Sequence, residues 1–248
     1  MAPQQGFVYE QNAVAFLKPM GFVPKGFVPA GAGHGQPDLM LLHNNKQAGC
    51  ELKITDASAG SLVMKYNPKT KKWGFGNIGE EEKEKQFIRD LAEFVGLFKH
   101  IGTVWNKAPY KIDKEFQDPR WLMTVGKIPS EERYKRDHGL FKEQKGSIPA
   151  TKIEEYYNKK DTYYVNIGTH GFYLFGRRNP LQLQDVPQFS QCAQASWRAR
   201  VQYKGSGNYQ FTFEMAFSVK VKSTYNIAPL AKSSVAIVKN AANLACFA

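Results

Sequence analysis

The sequence is poor in cysteine: Cys50, Cys192 and Cys246 stand far apart, and no Cys-x-x-Cys pair occurs. An odd, scattered set supports neither a disulfide framework nor a zinc ribbon, and it points to a reducing intracellular compartment. No apolar run approaches the roughly 18 residues of a membrane helix, since Lys232 and Lys239 break the best stretch. Glu10 and Lys18 likewise interrupt any signal-peptide pattern at the start. The glycines of GAGHG, residues 31–35, are not followed by Gly-Lys-Ser/Thr, so they form no P-loop. There is no internal repeat and no long low-complexity linker. A soluble protein is expected, cytoplasmic or nucleoid-associated, without a membrane partner.

What is present is a chain of 248 residues, 42% hydrophobic and 13% aromatic, enough for a real core. Its net charge is +12, a balance that points to a polyanionic partner. The charge is uneven. Residues 1–125 hold 16 Lys+Arg against 13 Asp+Glu, while residues 126–248 hold 18 against 9. Catalysis in the first half and much of the polyanion contact in the second would give this asymmetry.

The segment from about Gln5 to Lys18 reads as a helix stopped by Pro19 and Gly21. Phe7, Val14 and Leu17 share one face, and Glu10 lies on that same apolar stripe. The runs Pro37–His43 and Cys50–Thr55 read as an antiparallel hairpin over a polar turn at 44–47, with His43-Asn44-Asn45 leading into the turn. SLVMKY, at 61–66, reads as a further strand, and the span from about Glu80 to Lys99 as one amphipathic helix with Phe87, Leu91, Phe94 and Phe98 on its apolar face. Further helices are expected near 130–137 and 150–158. From Tyr163 the pattern turns to strands, with a hairpin turn at Thr169-His170-Gly171. The fold class is therefore α/β in the mixed α+β sense.

The hairpin carries unusual charges. Glu51 and Lys53 alternate with Leu52 and Ile54, so they share one face of their strand. Asp38 lies across the hairpin from the end of that run. Two converging carboxylates suit a hard divalent cation, and an adjacent ammonium suits a water or a developing phosphate charge.

Pro37-Asp38, twelve residues, then Glu51-Leu52-Lys53 resembles the PD-(D/E)XK nuclease superfamily, and Glu10 looks like its auxiliary N-terminal glutamate. The resemblance spans about residues 5–99. It implies a restriction-endonuclease-like core of mixed β-sheet flanked by helices, over residues 1–125. A basic, strand-rich extension over 126–248 would then carry DNA recognition. It also implies that Asp38, Glu51 and the Leu52 carbonyl ligate Mg²⁺, with Mn²⁺ able to substitute. Lys53 would serve the attacking water or offset charge, and Glu10 would orient a metal-bound water or a second ion. Gln86 is followed four places on by Asp90 rather than Tyr, so the exonuclease branch is not matched. Gln86 is kept as a residue facing the site, and His34 as one touching the scissile phosphate or a metal water; a solvated helix position and a plain loop histidine are the bland readings.

For DNA contact, Lys69, Lys71, Lys72 and Trp73 follow the site closely. In the late hairpin Arg198, Arg200 and Lys204 alternate with Trp197, Ala199 and Val201. Lys220 and Lys222 alternate with Val219 and Val221 on the returning strand. A five-residue loop at 205–209 would set Arg200 opposite Glu214 and leave one polar, basic face for phosphates. The expected function is a Mg²⁺-dependent DNA endonuclease, either site-specific and homodimeric or structure-specific. The expectation from another class is a non-catalytic nucleic-acid-binding protein built on such a fold.

Overall fold

The structure, a computed structural model, describes residues 5–29, 36–56, 58–67, 72–75, 83–105, 138–139, 141–205, 208–231 and 235–248. It is mixed α+β with two sheets. The chain divides into two compact units, each drawing on both halves of the sequence. One takes residues 1–57, 149–195 and 217–248; the other takes 58–148 and 196–216. The division expected near residue 125 and the helix expected at 130–137 fall outside the described residues.

The first unit is built on a four-stranded sheet. Strands β1 (Leu39–His43) and β2 (Lys46–Lys53) form the expected antiparallel hairpin, paired from Leu39↔Cys50 to His43↔Lys46. Only Asn44 and Asn45 turn the chain, with φ of 47° and 60°. Two successive positive-φ residues make a turn whose twist matches that of the strands, and asparagine tolerates it best after glycine. The strand that extends this sheet is β6 (Thr162–Ile167), running parallel to β2. It lies within the stretch expected to form the C-terminal extension. β7 (Gly171–Leu174) then pairs antiparallel to β6, giving the order β1-β2-β6-β7. Being central, β2 is buried along most of its length.

Helix α1 (Gln5–Leu17) packs Tyr9, Ala13 and Leu17 into the core formed by Leu39, Leu41, Tyr164 and Phe172. The helix ends in a short 3₁₀ turn at Pro19, closed by Gly21 at φ 80°. The inward stripe thus includes Tyr9, while Phe7 is only half-buried. A second anchor ties α1 down. The Tyr9 hydroxyl donates to the Ala228 carbonyl at 2.8 Å and accepts from the Asn166 amide at 2.9 Å. Helix α4 (Thr151–Asn158), expected near 150–158, precedes β6 and buries Ile153, Glu154, Tyr156 and Tyr157.

The second unit holds a five-stranded sheet in the order β4-β3-β9-β8-β5. Here β3 is Ser58–Asn67, β4 is Lys72–Phe75 and β5 is Gln144–Ile148. Strand β8 spans Ala193–Gly205 and β9 spans Asn208–Val219. SLVMKY is a strand as expected, but it belongs to this second sheet. Trp73, Trp105, Phe141 and Phe211 meet edge to face, with Trp73 and Trp105 centroids 5.1 Å apart, a geometry aromatic rings favour. The single helix expected over 80–99 is two helices, α2 (Lys83–Phe94) and α3 (Leu97–Trp105). Gly96, at φ 63°, breaks the helical path between them. Phe94 is consequently exposed rather than part of the buried stripe that holds Phe87 and Leu91.

Candidate active site

Four charged side chains come together in the first unit. Glu10 lies on α1, Asp38 immediately precedes β1, and Glu51 and Lys53 lie on β2. The β1–β2 ladder ends at Leu39↔Cys50. Two residues on, the Leu52 N–H points to the same side with no strand partner there, and it donates to Asp38 Oδ2 at 2.9 Å. The hairpin register therefore places Asp38 beside the Glu51–Lys53 run, as the spacing predicts. Glu51 is 7% exposed, so its charge must be met inside the protein. Lys53 Nζ pairs with Glu51 Oε1, and the Tyr157 hydroxyl donates to the same oxygen at 3.2 Å.

Electrostatics confirm how closely these groups sense one another. Burial, then the charges of Asp38 and Glu51, push the Glu10 carboxyl up to about 7. Burial and the Glu51 charge push Asp38 up to about 6, against the opposing pull of Lys53, the Leu52 hydrogen bond and Lys160. Burial alone would lower the Lys53 pKa, but Glu51 and Asp38 outweigh it and hold it above the ordinary lysine value. Lys53 is thus a fixed cation at neutral pH.

Raised carboxyl pKa values carry a stability consequence. The native state binds these two protons more tightly than the unfolded chain, whose carboxyls titrate near ~4. Stability from this pair is therefore gained as pH falls through about 7 and 6, and it is absent at pH 8. Without divalent cations, the melting temperature at pH 5.5 relative to pH 8 should benefit from this pair. Glu10→Gln should shrink that difference by about 3 °C, measured by calorimetry. An unchanged difference would show that Glu10 does not titrate against its neighbours.

Among the described residues no three His, Cys, Asp or Glu side chains are grouped so as to hold a metal ion. Mg²⁺, however, is commonly bound through one or two carboxylates, with waters and substrate phosphate completing the octahedron. The chemistry of the donors fits that pattern. Glu10 Oε2 is buried with no hydrogen-bond partner among the described residues. Lys53 and the Tyr157 hydroxyl donate to Glu51 Oε1, and the Leu52 N–H donates to Asp38 Oδ2. The cluster is oxygen-rich, mutually repelling and partly desolvated.

Tyr157 and Lys160 join this neighbourhood without having been expected there. Their signal, in retrospect, is the string Tyr156-Tyr157-Asn158-Lys159-Lys160, an aromatic pair followed by two cations at a helix end.

The other expected residues are scattered. His34 and Lys71 lie outside the described residues, as does the Lys204 side chain. Gln86 is exposed on α2 and donates to Asp90 Oδ1 at 2.7 Å, a solvated helix pair. Lys72 is exposed. Strand β9 ends at Val219, so Lys220 and Lys222 follow it as exposed residues outside the ladder, and Val221 is 56% exposed instead of facing inward.

Arg198 and Arg200 have a partner within their own hairpin. Both pair with Glu214, whose carboxylate is 3% exposed, and neighbouring Thr212 is equally buried. The polar face of the β8–β9 hairpin thus holds a buried acid between two partly exposed arginines. Converting both to alanine leaves that charge unpaired, so the double variant should lose about 3 kcal/mol of stability by denaturant titration. A double variant as stable as the parent would free these arginines for another role.

No protein-family model matches the sequence, and no curated protein matches it. Among solved structures, HhaI endonuclease in complex with DNA is similar at 14% identity and a TM-score of 0.41. The alignment covers 87% of this chain and 90% of that one. A likeness of that size assigns neither a residue nor an activity here. No helix among the described residues is long and apolar enough to cross a membrane.

Proposed function

We propose that this chain is a Mg²⁺-dependent DNA endonuclease that hydrolyses phosphodiester bonds. The observation that carries the reading is the convergence of Glu10, Asp38, Glu51 and Lys53 in one desolvated cluster, three acids and one cation, with a buried carboxylate oxygen left unmatched. A purely structural ion pair needs one acid for Lys53; the surplus acids destabilise the fold at neutral pH. Surplus buried charge of this kind is characteristic of a site arranged for a ligand.

Asp38 and Glu51, with the Leu52 carbonyl, would hold the ion, and Glu10 would orient a water beside it. Bound there, Mg²⁺ supplies Lewis-acid polarisation of the phosphate and a more acidic water. Lys53 stays protonated in its acidic surroundings, so it acts as a hydrogen-bond donor to water or to a phosphate oxygen. It does not serve as the free base. Tyr157 shares Glu51 Oε1 with Lys53 and thereby holds the carboxylate in one orientation. The net charge of +12 supports a polyanionic substrate. A site-specific enzyme would act as a homodimer, one site per strand; a structure-specific one would not need to.

The test is incubation of supercoiled plasmid with protein and Mg²⁺, with EDTA as the control. Nicked or linear product with Mg²⁺ and none with EDTA is expected. Stable DNA binding without any cleavage, in Mg²⁺ or Mn²⁺, would favour a non-catalytic nucleic-acid-binding protein.

A further inference from the structure

We propose that Lys220-Val221-Lys222, the segment that follows β9, is a ridge that contacts the phosphates of nucleic acid beside the Lys53 end of β2. The proposal deepens the nuclease reading and rests on it only in taking nucleic acid as the ligand.

The fold brings this segment to the end of β2. Lys53 is in register with Ile167, the last residue of β6, and its carbonyl accepts from the Gly168 N–H at 2.8 Å. The turn at Thr169-His170 thus begins where β2 ends. The segment after β9 leans on that turn, since the Ser223 N–H donates to the His170 carbonyl at 3.0 Å. Ser223 directly follows Lys222. A short series of bonded neighbours therefore links Lys53 to the ridge.

The ridge is fixed through its backbone. The Lys220 and Val221 N–H groups both donate to the Cys192 carbonyl, at 2.8 and 3.1 Å. The hydroxyl of buried Tyr173 lies 3.0 Å from the Val221 carbonyl and 2.8 Å from the His170 carbonyl, and it accepts from the Ser223 N–H at 2.9 Å. One phenol thus ties ridge and turn together.

The side chains are in water. Lys220, Val221 and Lys222 are all exposed. Among the described residues neither lysine has an ion-pair or hydrogen-bond partner for its ammonium group. Asp56 also lies here, but its Oδ1 accepts from the Val219 N–H at 3.0 Å and sits 3.9 Å from His170 Nδ1. Arg198 and Arg200, expected in the same role, are paired with Glu214. Two unneutralised cations on a fixed backbone confine the ordering cost of binding to their side chains, and each phosphate they meet releases counterions.

The experiment measures binding of a fluorescently labelled DNA duplex in EDTA over a salt series, for the parent and three double variants. Lys220→Gln with Lys222→Gln removes the charge of the ridge, and Lys220→Arg with Lys222→Arg keeps it. Lys18→Gln with Lys25→Gln removes as much charge from exposed positions toward the other end of β2, where the Leu42 N–H donates to the Phe22 carbonyl at 2.8 Å and Leu42 pairs with Gln47. Two lost phosphate contacts make the plot of log K against log salt shallower by about 1.8. The parent should then lose about 12-fold more affinity than the ridge Gln variant between 50 and 200 mM salt. The Arg variant and the Lys18 and Lys25 variant should keep the parent slope, and thermal melts should match throughout. Equal slopes for the parent and the ridge Gln variant, an equal loss in the Lys18 and Lys25 variant, or no duplex binding by the parent would overturn the proposal. Plasmid cleavage by the parent is scored separately. A ridge-dependent slope without cleavage in Mg²⁺ sinks the nuclease reading and supports the contact; cleavage with an unchanged slope does the reverse.

Discussion

Replacing Asp38 with alanine should lower Mg²⁺-supported cleavage of supercoiled plasmid at least about 10³-fold. Loss of a residue that merely orients a metal ligand already costs about 10–100-fold in affinity or activity. In the proposed site Asp38 would hold the ion itself, and alanine removes both of its oxygens. The same change should not unfold the protein. Asp38 is half-buried and repelled by Glu51, so its removal relieves unfavourable charge while sacrificing one hydrogen bond to the Leu52 N–H. The signature is therefore inactivity together with unchanged or raised thermal stability at pH 8. An Asp38→Ala protein that cuts as well as the parent would dismantle the proposed site, whatever its stability.

Lys53→Ala should cost about 10²–10³-fold in kcat, the range found for deleting one charge-stabilising donor, while duplex affinity changes little. Lys53 is held as a cation by Glu51 and Asp38, so in the proposed reaction its contribution would belong to the charge that develops on phosphate or water. Arginine should rescue poorly, because its planar fork cannot reproduce a point contact with Glu51 Oε1. Glu51 would keep its Tyr157 partner in either variant. A fall in affinity with kcat intact would instead assign Lys53 to simple substrate attraction.

The hairpin was legible in the sequence because its determinants are local. Two asparagines fix the turn, and the turn fixes the register that brings Asp38 to the Leu52 N–H. Glu10 was legible because an acid on an apolar helical stripe needs an explanation. The partnership of β2 with β6 was not, since the paired residues lie more than a hundred positions apart and parallel pairing leaves no mark on the turn chemistry. Tyr157 stayed hidden for the same reason. Alternation correctly turned Trp197, Phe213 and Met215 inward, yet it cannot tell whether the opposite face meets water. Glu214 shows the difference: it reads as part of a solvated face and is instead a buried acid holding Arg198 and Arg200. Gly96 illustrates a third limit, a single left-handed residue that ends one helix and starts another inside an unbroken hydrophobic pattern.

Mn²⁺ binding followed by electron paramagnetic resonance at pH 8 tests the central claim most directly. Free Mn²⁺ gives a sharp signal that is lost on coordination, so binding is counted without reference to catalysis. At least one bound ion per chain is predicted, with affinity reduced more than tenfold in both Asp38→Asn and Glu51→Gln and left intact in Arg198→Ala. No bound ion in the parent, or the same affinity in all four proteins, would mean that the acids at 38 and 51 do not share a divalent cation.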